Sequence, residues 1–360
     1  RELYGPIWES MKQQMAAARG VDVELFQIFA DKHSLSMFNE AGYDGLAIAQ
    51  EQGLIDGTKS YPEFRDYMIE RFGVDEDAER TTYPHIMGST YMAQLEPDLT
   101  EADDAVAVVF VQGGIQPGPQ GPGVAGSDDI AGLLREAHED ETTKAIVMRV
   151  NSPGGSVIAS DIIAEEFRQA RNKGIPAYVS MGDVAASGGV WVSMPADRIY
   201  AEPNTITGSI GVAVAFPTFE NLFEYIGIHY DGVTTSEKAG WGLYKEVDEK
   251  MDAFFARWAG TAYEHFINNV AASRDKEPEY IRSIAGGRVW LAPKALELGL
   301  IDELGTMENA IEAAAEKAGL DDYRVNYVVQ EMPPHIAFLK QFSASIIEPV
   351  NVSNGEFARR

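Results

Sequence analysis

The amino-acid sequence predicts an α/β protein built on a parallel β-sheet. Between residues 105 and 181, apolar runs of strand length alternate with segments of helical spacing, a pattern typical of strands joined by crossover helices. Two of the predicted strands end in glycine-rich turns, NSPGGS at 151–156 and AASGG at 185–189. Sites in such sheets form beyond the carboxyl ends of neighbouring strands, so these turns are the candidate functional positions.

Three apolar segments are predicted to be buried strands, because they are short, apolar and bounded by turn residues. They are AVAVVFV at 105–111, KAIVMRV at 144–150 and IPAYVSM at 175–181. Between the first two, GPQGPG at 118–123 cannot form regular structure, since proline and glycine interrupt helices and strands. Parallel pairing with right-handed crossovers is the expected arrangement.

The connections between these strands carry helical periodicity. Ser127 is a candidate N-cap of the first connecting helix, and Ser156 of the second. The apolar positions that define the two helices are Ile130, Leu133, Leu134 and Ala137 in the first, and Ile158, Ile162, Ile163 and Phe167 in the second.

The two ends of the chain contain related segments, which indicates a duplicated unit. AQEQGLIDGT near the start resembles ALELGLIDELG near the end, and WESMKQQMAAAR resembles YEHFINNVAASR. At one constant offset, Ala49, Gly53, Asp56 and Gly73 match Ala295, Gly299, Asp302 and Gly319. The predicted organisation is a mainly helical end of a first repeat at 1–90, a linker at 91–104, a complete repeat at 105–325 and a tail at 326–360.

Composition excludes several classes of function. The formal net charge of −27 argues against nucleic-acid binding, which requires clustered lysine and arginine. The absence of cysteine excludes thiol catalysis, disulfides and thiolate metal sites. No apolar run approaches the roughly 18 residues of a membrane-spanning helix, and no phosphate-binding loop motif is present. We expect neither a metal nor another cofactor.

Ser187 lies between two alanines and two glycines at the second turn. Such small neighbours either pack a strand-to-helix turn closely or let a substrate backbone approach a nucleophilic hydroxyl. In the second case, the amides of Gly155 and Gly188 would stabilise an oxyanion, an effect of about 3–4 kcal/mol per donor in hydrolases. Both interpretations are open on these residues alone.

A general base for Ser187 is not evident from any motif. His138 lies in the charged segment REAHED and is expected to be solvated, while His229 has no acidic partner at a characteristic spacing. Lys238 and Lys245 follow the predicted sheet, and a lysine acts as a base where burial or nearby charge lowers its pKa. Ser209, in TGSIGVA, either orients a lysine amine or caps a turn.

Four motifs in this order and at these spacings resemble the signal peptide peptidase A family of serine proteases. They are RVNSPGGS at 149–156, AASGGVW at 185–191, TGSIGV at 207–212 and GRVWLAPKALELGLIDELG at 287–305. The resemblance covers residues 104–325, and residues 1–90 resemble the end of the N-terminal repeat in the family's long, duplicated form. It implies a Clp-protease/crotonase-like fold, a superhelix of repeated βαβ units.

The resemblance also implies a Ser/Lys dyad. Ser187 would be the nucleophile, Gly155 and Gly188 would form the oxyanion hole, and Ser209 would hold the lysine amine. Lys238 falls one residue short of the base in short family members, and the usual sequence after it is absent. In the long form the base comes from the N-terminal repeat, so the base is expected to be either Lys238 or a lysine outside this chain, which would be the C-terminal portion of a longer protease.

The expected activity is cleavage of hydrophobic peptides, such as remnant signal peptides, with small or apolar residues near the cleaved bond. By resemblance, the protein would be a homo-oligomer, a tetramer or larger, on the bacterial inner membrane. Its peptidase part would face the periplasm or the outside, held by an N-terminal anchor absent from this sequence. Two alternatives share the fold: a crotonase-like CoA enzyme, and a scaffold subunit that is catalytically incomplete because it lacks its lysine.

Overall fold

The structure is a computed structural model that describes residues 3–33, 44–78, 80–94 and 102–330. The chain divides into two compact units, one comprising Arg1–Asp98 with Glu331–Arg360 and the other Leu99–Gln330. Among the described helices of both units, none is long and apolar enough to cross a bilayer.

The described part of the first unit is helical. Asp44 caps the third helix by accepting hydrogen bonds from the amides of Leu46 and Ala47, and Ser60 forms a capping box with Glu63 at the start of the fourth. The helices are α1 (Tyr4–Arg19), α2 (Glu24–Ile28), which continues into a π-helical turn (Phe29–His33), α3 (Gly45–Glu51), α4 (Tyr61–Phe72) and α5 (Gly88–Gln94).

The second unit is an α/β fold around a mainly parallel sheet. Its main path runs in the order β10-β1-β4-β5-β6-β9, with all neighbours parallel. Strand β7 pairs parallel with β5 and antiparallel with β8, while β2 and β3 form a separate parallel pair. The strands are β1 (Ala105–Gln112), β2 (Gly114–Gln116), β3 (Val124–Gly126), β4 (Thr143–Ser152), β5 (Ala177–Ala186), β6 (Arg198–Ala201), β7 (Ile206–Gly208), β8 (Val289–Leu291), β9 (Glu303–Leu304) and β10 (Arg324–Val328).

Helices cover both faces of this sheet, so the central strands are apolar along almost their whole length. Leu134, Phe167 and Phe266 belong to the core on one face, whereas Tyr178 and Ile311 belong to the core on the other. The helices are α6 (Ser127–Glu139), α7 (Val157–Asn172), α8 (Gly188–Ser193), α9 (Glu220–Tyr225), α10 (Glu249–Ser273), α11 (Pro278–Ile284), α12 (Ala292–Glu297) and α13 (Met307–Ala318).

The three predicted strands and the two connecting helices are present, but one cap differs from the prediction. Gly126 occupies the N-cap position of α6, and Ser127 is the first helical residue. The Ser127 hydroxyl instead accepts a hydrogen bond from the Gly118 amide at 3.0 Å, and this bond holds the loop that contains Gly118 against the start of α6. Ser156 is the N-cap of α7, and its hydroxyl accepts from the Ala159 amide at 3.3 Å.

The predicted apolar face of α7 is only partly buried. Ile163 and Phe167 are fully buried, but Ile158 is 65% exposed and Ile162 41% exposed. Alanine and serine side chains complete the buried face instead, because α7 lies close to α8 and leaves little room for branched side chains there.

A bulge in β5 positions the end of that strand. Residues up to Met181 pair with β6, whereas residues from Val184 pair with β7. At the bulge, the Asn151 side chain of β4 accepts a hydrogen bond from the Val184 amide at 3.1 Å. A Cβ on Gly182 would lie 3.0 Å from the Asn151 Cβ, so the close approach of the two strands favours glycine.

Each of the two units contains the same pattern of hydrogen bonds around an arginine. In each, an arginine Nε donates to a glycine carbonyl oxygen, at 3.0 Å in the first unit and 2.9 Å in the second, and its terminal nitrogens donate to both oxygens of an aspartate. The residues are Arg19, Gly53 and Asp56 in the first unit and Arg274, Gly299 and Asp302 in the second. These are equivalent positions of the internal repeat, so the sequence match is also a match of contacts.

Candidate active site

Ser187 connects the end of β5 to the start of α8 in a conformation that non-glycine residues rarely adopt, with φ 53° and ψ −115°. Such a backbone costs about 1–3 kcal/mol and persists only where the surroundings impose it. The Ser187 amide donates to the Gly208 carbonyl at 2.9 Å, and the Ser187 carbonyl accepts from the Trp191 amide at 3.0 Å. The turn is therefore held by a neighbouring strand and by its own helix.

The first glycine turn lies directly against Ser187. A Cβ on Gly154, where φ is 99°, would lie 2.5 Å from the Gly188 nitrogen and 2.8 Å from the Ser187 Cβ. A Cβ on Gly188 would lie 3.1 Å from the Gly155 nitrogen and 2.6 Å from the hydroxyl of Ser160. The two turns, 151–156 and 185–189, thus meet as the strand order predicts, and both need glycine at the contact.

Backbone hydrogen bonds hold the first turn in place. The Ile115 amide donates to the Gly154 carbonyl at 2.9 Å, and the Ile115 carbonyl accepts from the Ser156 amide at 2.9 Å. Within the described residues, these bonds leave the amides of Gly155 and Gly188 without a backbone acceptor. Two backbone donors consequently remain available beside the Ser187 turn.

Ser209 lies next to Ser187 because the strands before them are paired. Ala186 and Gly208 are partners in the β5·β7 register, so each serine directly follows one member of a pair. Ser209 also has a positive φ of 52°, and its amide donates to the Arg288 carbonyl at 2.6 Å. Of the three described non-glycine residues with positive φ, two are these serines, which concentrates backbone strain at one place.

Both serines line a cavity of about 520 Å³. Its walls are formed by Ser187, Ser209, Gly211, Val212, Ala213, Tyr263, Gly286 and Gly287. Sequence reasoning identified the serines and included Gly287 in a motif, but it assigned no role in the site to Tyr263, Gly286 or Gly287. The consecutive glycines before RVWLAP were an available signal, whereas nothing in the sequence of α10 marks Tyr263.

Neither lysine candidate is among the described residues that line this cavity. Lys238 belongs to a short 3₁₀ turn, Glu237–Gly240, and its side chain lies outside the described part of the structure. Lys245 is exposed in the following segment. The described residues therefore place no lysine amine along the wall of the cavity.

His138 is buried, so the expectation that it is solvated was wrong. Its Nε2 lies 2.8 Å from a Glu166 carboxylate oxygen, and its Nδ1 lies 2.7 Å from the Lys173 Nζ. Glu166 lies on α7 and Lys173 directly follows that helix, so the imidazole is hydrogen-bonded at the contact between α6 and α7. Burial raises the pKa of Glu166, but hydrogen bonds from Arg135 and His138 outweigh it and hold that pKa below its ordinary value. His229 is exposed.

Comparison with known proteins identifies the family. The sequence profile of peptidase family S49 matches residues 169–321. Protease 4 of Salmonella typhi is 35% identical over 328 residues, covering 91% of this chain and 52% of that protein. The chloroplast serine protease SPPA of Arabidopsis thaliana is 34% identical over 292 residues, covering 79% of this chain and 42% of that protein.

A putative protease of Synechocystis is 35% identical over 202 residues, covering 54% of this chain and 70% of that protein. The chain spans about half the length of the Salmonella and Arabidopsis relatives. The matched region includes the strained serine, its helix and the serine of the neighbouring strand. The chain therefore belongs to peptidase family S49.

Proposed function

We propose that this chain is a serine endopeptidase in which Ser187 attacks the carbonyl carbon of a peptide bond. The observation that carries the proposal is the contact between the strained Ser187 turn and the Gly154–Gly155 turn. That contact brings a hydroxyl and two amides without backbone acceptors, those of Gly155 and Gly188, to one place. Amides in such positions stabilise the negative charge that develops on the carbonyl oxygen.

The chemistry would proceed in two steps. A base takes the proton of the Ser187 hydroxyl as the oxygen bonds to the carbonyl carbon, and the same group returns the proton to the nitrogen as the C–N bond breaks. Water then attacks the acyl-enzyme ester and regenerates the serine. The oxyanion donors are needed in both steps, because each passes through a tetrahedral intermediate.

We propose a lysine as the base and Ser209 as the residue that orients its amine. The position of Ser209 beside Ser187 supports this role. Lys238 is the candidate within this chain, and a lysine from another polypeptide is the alternative. In either case, the amine has to be uncharged to accept the proton, so burial or nearby positive charge must lower its pKa.

Hydrophobic peptides, including remnant signal peptides, are the proposed substrates. Residues 211–218 follow Ser209 and make no backbone hydrogen bond to another described residue. An extended peptide can pair with such an unpaired edge and place alternate side chains in adjoining space. None of the described residues that line the cavity is charged, which favours neutral side chains near the cleaved bond.

The finer classification and the assembly rest on the family resemblance. On that ground we propose a Clp-protease/crotonase-like fold for the second unit, and a homo-oligomer, a tetramer or larger, at the surface of the bacterial inner membrane. The three relatives named above carry protease names, so neither the CoA enzyme nor the inactive scaffold is favoured.

The nucleophile is tested with a fluorophosphonate probe and with hydrolysis of apolar peptides. We expect the probe to label the purified chain and to leave the Ser187→Ala variant unlabelled, with loss of peptide cleavage in that variant. Ser10→Ala, in the first unit, is the matched control and should behave as wild type. Equal labelling of the wild-type and Ser187→Ala chains would exclude Ser187 as the nucleophile.

The base is tested by comparing Lys238→Ala with Lys245→Ala. If Lys238 is the base, its variant should lose at least about 100-fold in kcat, the scale of general-base catalysis, while the Lys245 variant stays near wild type. Unchanged hydrolysis by the Lys238 variant would assign the base to another group.

A further inference from the structure

We propose that Tyr263 sets the upper size limit of the substrate side chain that enters the cavity beside Ser187. The inference rests on the proposed function and names the residue that determines which side chains fit. Tyr263 is an addition to the dyad and the oxyanion donors, and no motif of the sequence pointed to it.

The composition of the cavity wall isolates Tyr263. Of the eight lining residues that the structure describes, seven are glycine, alanine, serine or valine, and Tyr263 is the one large side chain among these eight. A volume of about 520 Å³ lies within the range of small-ligand sites, so the cavity has room for a large substrate side chain. Among these eight residues, truncation of Tyr263 is thus the substitution that frees the most space.

The helix that carries Tyr263 is anchored in the core. Three and four residues further along α10, Phe266 is 2% exposed and Ile267 is fully buried, and Tyr263 itself packs against the edge of the same core. The Phe266 ring lies 4.8 Å from that of Trp191, on the helix that Ser187 begins. The position of the tyrosine is therefore coupled to the nucleophile helix through packed side chains.

Another part of the wall cannot expand. Gly286 and Gly287 have φ of 73° and 76°, and the Gly287 amide donates to the Ile210 carbonyl at 3.0 Å. A Cβ on Gly211 would lie 3.0 Å from the Gly287 nitrogen, so these two backbone segments are already in contact. Since this wall is backbone held by hydrogen bonds, the Tyr263 side chain is what sets the limit.

The chemistry of the Tyr263 side chain also indicates which substrate side chains fit the cavity. Tyr263 is half-buried, and its hydroxyl makes no hydrogen bond to another described residue, so the ring offers an apolar surface with a polar rim. A neutral apolar or aromatic side chain fits such a surface, whereas a charged side chain would lose hydration without gaining a partner.

The inference is tested by peptide binding to a chain that cannot cleave. Isothermal calorimetry on the Ser187→Ala chain compares acetylated, amidated pentapeptides of alanine in which the central residue is alanine or phenylalanine. Adding Tyr263→Ala should raise the preference for the phenylalanine peptide at least about tenfold, and Tyr263→Trp should lower it by a similar factor, the scale of discrimination by pocket size. Tyr263→Phe should leave the ratio nearly unchanged.

Tyr280→Ala, an exposed tyrosine on α11 outside the cavity wall, is the matched control and should leave the ratio unchanged. Tyr263→Trp keeps an aromatic ring at the edge of the core, so it remains informative where Tyr263→Ala fails to fold. Equal ratios in the Trp variant and its parent would overturn the inference, as would the absence of peptide binding. Tyr263-dependent binding by a protein whose wild-type form neither cleaves peptides nor reacts with fluorophosphonate would leave the inference standing and refute peptide cleavage by this chain alone.

Discussion

At the scale of single residues, the candidate site depends on backbone positions that tolerate almost no side chain. Gly154 has φ 99° and lies where a Cβ would meet both the Ser187 Cβ and the Gly188 nitrogen. Ser187 in turn adopts a positive φ because the Gly208 carbonyl and the Trp191 amide hold it from both sides. Steric contact and hydrogen bonding, rather than charge, therefore define this turn.

Gly154→Ala should lower the free energy of unfolding by about 2–4 kcal/mol, because it combines an unfavourable φ with a steric clash. It should also reduce peptide hydrolysis at least about 100-fold, since the oxyanion donors would shift. Urea unfolding and steady-state kinetics measure the two effects.

Gly132→Ala is the control for this prediction. A Cβ at Gly132, in α6, would meet nothing within 4 Å, so the substitution should stabilise the protein by about 0.5–1 kcal/mol. Wild-type kinetics in the Gly154 variant would contradict the role of this contact.

At the scale of secondary structure elements, one side-chain hydrogen bond joins the helices that follow the two glycine turns. The Trp191 Nε1 of α8 donates to a carboxylate oxygen of Asp161 on α7 at 3.2 Å. The Trp191 ring is 3% exposed and packs edge-on against His265. Helices α7 and α8 are thus fixed relative to each other close to Ser187, which makes Trp191 and Asp161 candidate positioning residues.

Trp191→Phe keeps an aromatic side chain but removes the donor, and it should lower kcat about threefold to tenfold with little change in KM, the effect of losing about 1 kcal/mol of positioning energy. Asp161→Ala should behave like Trp191→Phe, whereas Asp161→Asn keeps an acceptor and should restore most of the activity. Equal activity of the Ala and Asn variants would show that the bond does not position the site.

The contact between α6 and α7 predicts a pH dependence of stability. The pKa of Glu166 is held below its ordinary value in the folded protein, so its contribution is complete above the unfolded pKa of about 4.3 and is lost as the pH falls through the lower folded pKa. Glu166→Gln should cost about 1–2 kcal/mol at pH 7, and the difference from wild type should shrink between about pH 5 and pH 3. Urea unfolding across that range tests this, with the exposed Glu165→Gln as control; a constant difference would contradict it.

At the scale of the whole molecule, the two units repeat one hydrogen-bonded arginine at different degrees of burial. In the second unit the Arg274 side chain is 10% exposed and Asp302 is 25% exposed, while in the first unit Arg19 is 30% exposed and Asp56 is 90% exposed. Asp302 additionally accepts a hydrogen bond from the Ile199 amide at 2.8 Å, so it ties the end of α10 to β6. The same residues should therefore contribute unequally to stability.

Arg274→Met should destabilise the second unit by about 2–3 kcal/mol, because it leaves the partly buried Asp302 without its cation. Arg19→Met should have a smaller effect, since solvent reaches its partner. Hydrogen exchange read by mass spectrometry distinguishes the two units and should show faster exchange around residues 274–302 only in the Arg274 variant. Equal effects of the two substitutions would mean that burial does not set the contribution.

Much of this architecture was predictable because it depends on residues close together in the sequence. Apolar runs bounded by turn residues predicted β1, β4 and β5, and the order of the glycine-rich motifs identified Ser187 and its neighbouring turn. The burial of His138 was not predictable, because its partners lie on a different helix, Glu166, or directly after it, Lys173. The exposure of Ile158 was not predictable for the same reason, because the neighbouring helix α8 decides which face of α7 is covered.

By itself, the sequence determined the α/β class, the family resemblance and the identity of the candidate nucleophile, because strands, turns and motifs are local patterns. Only the tertiary structure decided that the Gly154–Gly155 turn touches Ser187, that Ser209 follows the paired strand, and that Tyr263 closes the cavity wall. Those relations join residues that are distant along the chain. Their geometry is set by strand register and helix packing, which no single segment of the sequence specifies.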